Sequence, residues 1–132
     1  MSLHQITTLP DAFRRVRLTL AREHAYPEGE AGIGYTLLAP LTADGHLDVD
    51  LARRFRSECK VIRFRPGEEV QLGYLRQRPG GSWTFHYDEP DGDEDDDPAY
   101  RLGEHRFIAG EYVTVFEDAG AHTYRVASVE TP

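Results

Sequence analysis

The chain has 132 residues, 39% of them apolar and 29% charged, and its formal net charge is -8. This length predicts a single domain over residues 1–132 with a proper core. The acidic balance argues against a nucleic-acid surface, and no run approaches the roughly 18 apolar residues of a membrane helix. One cysteine excludes an internal disulfide framework, so we expect a cytoplasmic protein.

The N-terminal part predicts a loose arm followed by a strand. Residues 1–10 carry neither a basic flank nor an apolar run, so we expect no signal peptide there. In residues 13–22, Val16, Leu18 and Leu20 alternate with polar side chains. This period of two is typical of a half-buried strand.

The next stretch predicts a loop, a short strand and the chain's one helix. Prolines and glycines over 23–34 favour a loop, and the apolar run 35–39 favours a short strand. A helix is predicted over 49–58, followed by a strand over 60–65, with Asp48 or Asp50 as its cap. Its apolar face at i, i+4 and i+8 consists of Leu51, Phe55 and Cys59. On this spacing Cys59 is a buried apolar group rather than a nucleophile.

Two hairpins are predicted in the second half. Pro79-Gly80 suits the centre of a type II turn, which pairs Tyr74 with Phe85. Val70 and Leu72 then share a buried face with the rings of β-strand 83–87. The second hairpin joins 112–117 to 122–129 through a four-residue turn. On its buried face we expect Val113, Val115, Tyr124 and Val126.

These elements predict a mainly β fold. Six to seven short strands and one short helix, without internal repeats or βαβ spacing, favour a strongly curled antiparallel sheet or a small barrel. The sequence leaves open whether the sheet closes. It also leaves the oligomeric state open, although an open sheet edge would permit a homodimer.

One segment carries the whole net charge, and we call residues 88–99 the acidic loop. Its carboxylates are Asp88, Glu89, Asp91, Asp93, Glu94, Asp95, Asp96 and Asp97. The rest of the chain has balanced charge, with the two signs equal in number. An EF-hand starting at Asp91 would need Gly at position six and Glu at position twelve, but Asp96 and Leu102 stand there. We therefore predict neither a metal site nor a cofactor, but a solvated loop that could dock on a basic protein surface.

A rival interpretation is a small-molecule-binding barrel or an enzyme with a histidine-containing pocket. The six histidines show no helical metal spacing and no His-Glu-x-x-His motif. A pocket would instead require convergence of separate side chains at one opening of the barrel. The residues of this predicted pocket are Tyr35, His86, Arg101, His105 and His122. His122 is otherwise expected to face Glu117 across the second hairpin.

Five short segments carry a resemblance to a family of small uncharacterised bacterial proteins. They are Leu20-Ala-Arg-Glu, Ala39-Pro-Leu, Gly80-Gly-Ser-Trp-Thr-Phe-His-Tyr-Asp, Gly110-Glu-Tyr-Val-Thr-Val and His122-Thr-Tyr-Arg-Val. The resemblance spans most of the chain and implies a self-standing cytoplasmic domain, but it brings no catalytic residue. The closing hairpin is also similar to those of small SH3-like barrels. The leading hypothesis is a non-enzymatic binding or interaction domain.

Overall fold

The fold is one antiparallel sheet with a short helix at one end. The computed structural model describes residues 9–77, 83–87, 97–99, 105–117 and 120–132. Within these residues there are eight strands, seven of them at least five residues long. They are β1 Phe13–Leu20, β2 Glu30–Pro40, β3 Lys60–Phe64, β4 Gln71–Gln77, β5 Trp83–Tyr87, β6 Asp97–Ala99, β7 Tyr112–Glu117 and β8 Gly120–Glu130. The predicted mainly β, antiparallel fold is confirmed.

The strand order is β6-β5-β4-β3-β2-β1-β8-β7. Consecutive strands therefore pair with each other, except β6 and β7, which form the two edges, and β8 also pairs with β1. The sheet curls into a half-barrel, and its two edge strands β6 and β7 come within 8 Å of each other between Cα atoms. Curling of this kind follows from the twist of the strands and shields both edges.

The inner face of the half-barrel is a core of aromatic and aliphatic side chains. The Tyr35 ring is at its centre, with its centroid 4.9 Å from that of Phe85 and 5.1 Å from that of Tyr124. On β1, Val16 and Leu18 are buried as their alternation predicts. The three rings come from β2, β5 and β8, so this contact joins strands that are not neighbours in the sheet.

Strand β2 is longer than the sequence predicts, because glycines read as loop residues lie within it. It starts at Glu30 rather than at Tyr35. A Cβ atom on Gly34 would lie 1.9 Å from the carbonyl oxygen of Leu18 on β1. Glycine is therefore required there for close approach of two strands and does not mark a turn.

The helix lies where the sequence predicts it, in two pieces. Helix α1 covers Val49–Arg54, and Asp48 caps it by accepting a hydrogen bond from the Leu51 amide at 3.1 Å. A 3-10 helix follows over Arg56–Glu58. None of the helices described here is long and apolar enough to cross a bilayer.

The two ends of the sheet are named after what they carry. The end that carries α1, where β4 ends and β5 begins, is called the helix end. The opposite end, with the β7–β8 connection, is called the hairpin end.

The predicted register of the β4–β5 hairpin is wrong by one residue. Leu75, rather than Tyr74, lies opposite Phe85, and the pairing leaves the five residues 78–82 between the strands. A shift of one residue exchanges the two faces of a strand. Leu75 is therefore 3% exposed, whereas Leu72, predicted to be buried, is 54% exposed.

Glycine at position 73 accounts for the observed register. A Cβ atom on Gly73 would lie 2.3 Å from the carbonyl oxygen of His86, so only glycine fits this inward position of β4. The partner strand β5 keeps its predicted face. Its buried rings are Trp83, Phe85 and Tyr87.

The register of the β7–β8 hairpin differs by two residues from the prediction. Glu117 pairs with Gly120, so two residues rather than four separate the strands, and Val113 pairs with Tyr124. A shift of two residues leaves every side chain on its face. The predicted buried set on these two strands is therefore confirmed.

Candidate functional site

Most of the acidic loop lies outside the described residues, namely positions 88–96. The structure does describe what flanks it. Strand β5 ends at Tyr87, and the chain re-enters the sheet at Asp97, the first residue of β6, which lies opposite Phe85. Both ends of the segment thus lie on paired strands, toward the hairpin end of the sheet. The last three residues of the predicted loop, 97–99, form β6.

The residues of the predicted histidine pocket are placed in different environments. Tyr35 is fully buried in the core, and His86 lies opposite Tyr74 on the outer face of the β4–β5 pair. His105 lies in the segment before Phe107, and Arg101 is outside the described residues. None of the described members lines either of the two cavities reported below.

His122 has a different partner from the one that the sequence predicts. It lies opposite Val115 in the ladder, whereas Glu117 lies opposite Gly120. Its Nδ1 atom is 2.8 Å from Oε1 of Glu23, which belongs to the turn after β1. The expected cross-strand pair with Glu117 is therefore wrong. The two-residue shift in register moves His122 away from the end of the hairpin.

No metal cluster or activated thiol is present among the residues that the structure describes. These residues contain no group of three or more His, Cys, Asp or Glu side chains able to hold an ion. Cys59 is buried, and its thiol lies 3.8 Å from the carbonyl oxygen of Ala52. Burial, followed by the negative charge of Glu58, raises the pKa of Cys59 to about 12. The thiol is therefore protonated at neutral pH and is a poor nucleophile.

The larger cavity lies at the helix end, between the helical segment and the β4–β5 hairpin. Its volume is about 790 Å³. The floor consists of the buried side chains of Ala52, Leu75 and Trp83. The amide of Leu75 donates a 3.0 Å hydrogen bond to the carbonyl oxygen of Cys59, which fixes β4 against the segment that follows the 3-10 helix. We call this site the arginine cavity after Arg53, Arg56 and Arg76, which line it.

Three exposed arginines line the cavity, and the described residues that line it include no carboxylate. Arg53 comes from the last turn of α1, Arg56 from the 3-10 helix and Arg76 from β4. Nε of Arg53 donates to Oε1 of Gln77 at 2.9 Å, which links the end of α1 to the end of β4. Within the described part of the chain, none of the three arginines forms an ion pair.

A second arginine environment occurs at the hairpin end, where the charge is neutralised. Nη2 of Arg65 is 2.8 Å from Oε1 of Glu117, and each of these two side chains is 11% exposed. The Tyr124 hydroxyl donates to Oε2 of the same carboxylate. The Arg65 guanidinium lies over the Tyr35 ring at 5.6 Å. We call Arg65, Glu117 and Tyr124 the buried network.

The buried network has a structural role. It ties the residue after β3 to the β7–β8 hairpin, two parts of the chain that are far apart in sequence. Burial raises the pKa of Tyr124 above its ordinary value, and the hydrogen bond to Glu117 raises it further. The phenol therefore stays neutral and acts as a hydrogen-bond donor. The sequence contained no local signal for this cluster.

A smaller cavity, of about 350 Å³, has mostly apolar and backbone walls near Phe107 and Leu41. Arg14 is the one charged residue among the described residues that line it. Its Nη1 atom already donates to the carbonyl oxygens of Asp11 and Phe13, the latter at 2.7 Å. This guanidinium is therefore engaged with the backbone, and the cavity offers less to a charged ligand than the arginine cavity.

Sequence reasoning missed the arginine cavity, although part of its signal was visible. Arg53 and Arg56 stand three residues apart, so they are neighbours on one face of a helical segment. The third arginine, Arg76, joins them only because the 3-10 helix packs against β4. Comparisons of the chain with protein-family models, with curated proteins and with solved structures find no match. The resemblance to small bacterial proteins and to SH3-like barrels stays a prediction.

Proposed function

We propose that this protein is a non-enzymatic binding domain that holds an anionic ligand in the arginine cavity. The observation that carries the proposal is the grouping of Arg53, Arg56 and Arg76 around one cavity whose described lining residues include no carboxylate. Guanidinium groups match carboxylates and phosphates through paired hydrogen bonds. A volume of about 790 Å³ falls in the range of small-molecule sites.

The charge distribution favours a bound anion. Like charges that share one rim repel each other, and an anion placed between them removes that repulsion. The three side chains are exposed, so they keep their hydration when the site is empty and lose only part of it on binding. Salt screens the attraction between charges that are far apart, so the arginines favour an anion that binds inside the cavity, in direct contact with them.

The chemistry of the lining supports binding rather than catalysis. Its polar members besides the arginines are Ser57, Tyr74 and Gln77. A hydroxyl nucleophile needs a neighbouring general base, and the part of the lining that the structure describes contains no histidine or carboxylate. Cys59 lies nearby, but its thiol is buried and protonated. This set can hold a charge and orient it, but it provides no proton-transfer pair.

The test is titration with inorganic phosphate at constant ionic strength. Trp83 lines the cavity and is the only tryptophan of the chain, so its fluorescence reports on this site alone. We expect a saturable change in the native protein. The triple variant Arg53→Gln, Arg56→Gln and Arg76→Gln should bind phosphate at least about tenfold more weakly, because charge-assisted hydrogen bonds are lost.

The matched control is the triple variant Arg15→Gln, Arg54→Gln and Arg125→Gln, which removes the same number of charges at exposed positions that do not line the cavity. Arg54 belongs to the same helix as Arg53, but its guanidinium lies over the Phe55 ring at 5.9 Å. The control variant should bind like the native protein. An equal loss of phosphate affinity in the two variants would show that binding depends on net charge alone, and it would contradict the proposal. Sedimentation that shows a dimer formed through the cavity would also contradict it.

A second candidate function is docking of the acidic loop on a basic protein surface. The pairing of β5 with β6 favours it, because the segment that carries the carboxylates leaves the sheet at Tyr87 and re-enters it at Asp97 on the neighbouring strand. A charge concentrated in this way steers a basic partner and acts in a salt-dependent manner. In this proposal the protein uses no cofactor and contacts neither nucleic acid nor membrane.

Binding to polylysine, measured at several salt concentrations, tests the docking proposal. One variant neutralises four carboxylates of the loop as amides: Asp93, Glu94, Asp95 and Asp96. The control neutralises four exposed carboxylates elsewhere: Glu28, Glu69, Glu111 and Glu130. We expect weaker binding in the first variant than in the second, because only the loop concentrates its charge. Equal weakening in the two variants would contradict a specific docking loop.

For the compartment we propose the cytoplasm. The support comes from Cys59, the one cysteine of the chain, which is buried as a free thiol. The fold therefore depends on no disulfide, which suits a reducing environment. Thiol labelling of intact cells with a reagent that cannot cross the membrane checks this. Modification of Cys59 by that reagent, under conditions mild enough to keep the cells intact but to expose the thiol, would contradict a cytoplasmic location.

A further inference from the structure

We propose that the ligand of the arginine cavity is an amphipathic phosphomonoester, with a phosphate head at the arginines and a flat apolar body on the floor. This inference rests on the proposed function and specifies its ligand class. The observation behind it is a division of polarity within one cavity. The arginines are exposed at the rim, whereas Ala52, Leu75 and Trp83 are buried at the base.

The number of arginines favours a phosphate head over a single carboxylate. A phosphomonoester carries close to two negative charges at neutral pH and three terminal oxygens. Arg53, Arg56 and Arg76 supply three positive charges from three different elements, so they can approach such a head from different directions. Arg53 is already held through Nε by Gln77, so a ligand can bind its terminal nitrogens without breaking this contact.

The size of the cavity requires more than a head group. Sites of a few hundred Å³ and larger hold drug-sized molecules, so an inorganic ion would leave most of the 790 Å³ filled with water. Water over the buried apolar floor gains little, because that floor offers few hydrogen bonds. An apolar body placed there displaces this water and adds affinity in proportion to the area it covers.

The floor favours a ring as that body. The Trp83 indole forms part of it, and the half-buried Tyr74 lines the same cavity. Aromatic side chains prefer other rings in edge or offset geometry, and such contacts add to the gain from burial. Ser57 and Gln77 add few polar groups, so a body that needs many hydrogen bonds fits less well.

Three probes separate the contributions of head and body. Inorganic phosphate supplies the head, benzyl alcohol supplies a ring without charge, and phenyl phosphate combines the two. Each is titrated into the native protein at constant ionic strength, with Trp83 fluorescence excited at the red edge of its absorption. We expect phenyl phosphate to bind about tenfold more tightly than phosphate or better, and benzyl alcohol to bind far more weakly than either.

The outcomes distinguish this inference from the proposed function. If phosphate binds through the arginines and phenyl phosphate binds no better, the amphipathic ligand is excluded and the anion site stands. If benzyl alcohol binds as tightly as phenyl phosphate, the phosphate head is excluded. If no probe binds, both proposals fail.

A protein variant gives an independent check on the ring. Tyr74→Ser should lower the affinity for phenyl phosphate several-fold and leave that for phosphate unchanged, because only the body contacts this position. Thermal unfolding verifies that the variant is folded. If it is not, the ratio of the affinities of the native protein for phenyl phosphate and for phosphate tests the contribution of the ring. An equal effect on both probes would contradict the assignment of body and head.

Discussion

The two ends of the sheet use arginine in opposite ways. At the hairpin end, Arg65 is buried and its charge is matched by Glu117 at 2.8 Å. At the helix end, Arg53, Arg56 and Arg76 stand exposed around a cavity without a carboxylate among its described lining residues. The contrast shows that the environment of a guanidinium, rather than its presence, separates a structural arginine from one that can hold a ligand.

Energetics explain why the two arrangements differ. A buried charge without a partner costs several kcal/mol, so the fold retains Arg65 only together with its carboxylate. An exposed arginine carries no such cost, since water solvates it when the site is empty. Its charge contributes little to stability and is free to act on a ligand. Stability and binding should therefore respond to substitution at opposite ends of the molecule.

The largest expected effect is at the hairpin end. Glu117→Gln should lower the free energy of unfolding by about 3 kcal/mol, because it leaves Arg65 buried without a counter-charge. Urea denaturation measures the change. Glu130→Gln, at the exposed end of β8, is the control and should change stability by no more than about 0.5 kcal/mol. A similar small effect for Glu117→Gln would mean that the buried network is solvated and that the two ends do not differ.

How far the sequence predicts the fold depends on which signals are local. Alternation predicted the inward residues of β1 and of the β7–β8 hairpin, and a capping aspartate, Asp48, marked the start of the helix. The β7–β8 faces were correct although the register was not, because a shift of two residues preserves them. In β4 the error of one residue exchanged the faces of Leu72 and Leu75.

The missing information in β4 and in the site is tertiary. The fit of Gly73 against the backbone of β5 sets the register, and nothing in the neighbouring sequence indicates it. Similarly, Arg53 and Arg56 are recognisable as neighbours, but Arg76 joins them only through the packing of the 3-10 helix on β4. The sequence thus predicts the elements and most of their faces, whereas the arginine cavity is a product of how they pack.

An effect of intermediate size is expected at alkaline pH and reports on packing at the helix end. The unfolded chain releases the Cys59 proton near the ordinary pKa of 9.0, but the folded protein keeps it until about 12. Between these pH values the unfolded state binds fewer protons, so stability falls as pH rises, by up to about 1.4 kcal/mol per pH unit. Below pH 9 this contribution is fully present.

Cys59→Ala isolates the contribution of the thiol. Its stability should fall less steeply between pH 9 and 11 than that of the native protein, and urea denaturation at each pH gives the two slopes. Tyr124 adds an alkaline loss of its own in both proteins, since burial raises its pKa too, so the difference in slope belongs to Cys59. Identical slopes would indicate that water reaches Cys59 in the folded protein.

The smallest expected effect completes the contrast with Arg65. Replacing Arg53, Arg56 and Arg76 together by Gln should change the free energy of unfolding by no more than about 0.5 kcal/mol, in the stabilising direction, because repulsion at the rim disappears. The gain should shrink as salt is added, since salt screens exposed charges. Thermal unfolding at low and high ionic strength measures both points. A loss of several kcal/mol would instead make these arginines part of the scaffold, and an arginine that supports the fold in this way cannot be free to serve a ligand.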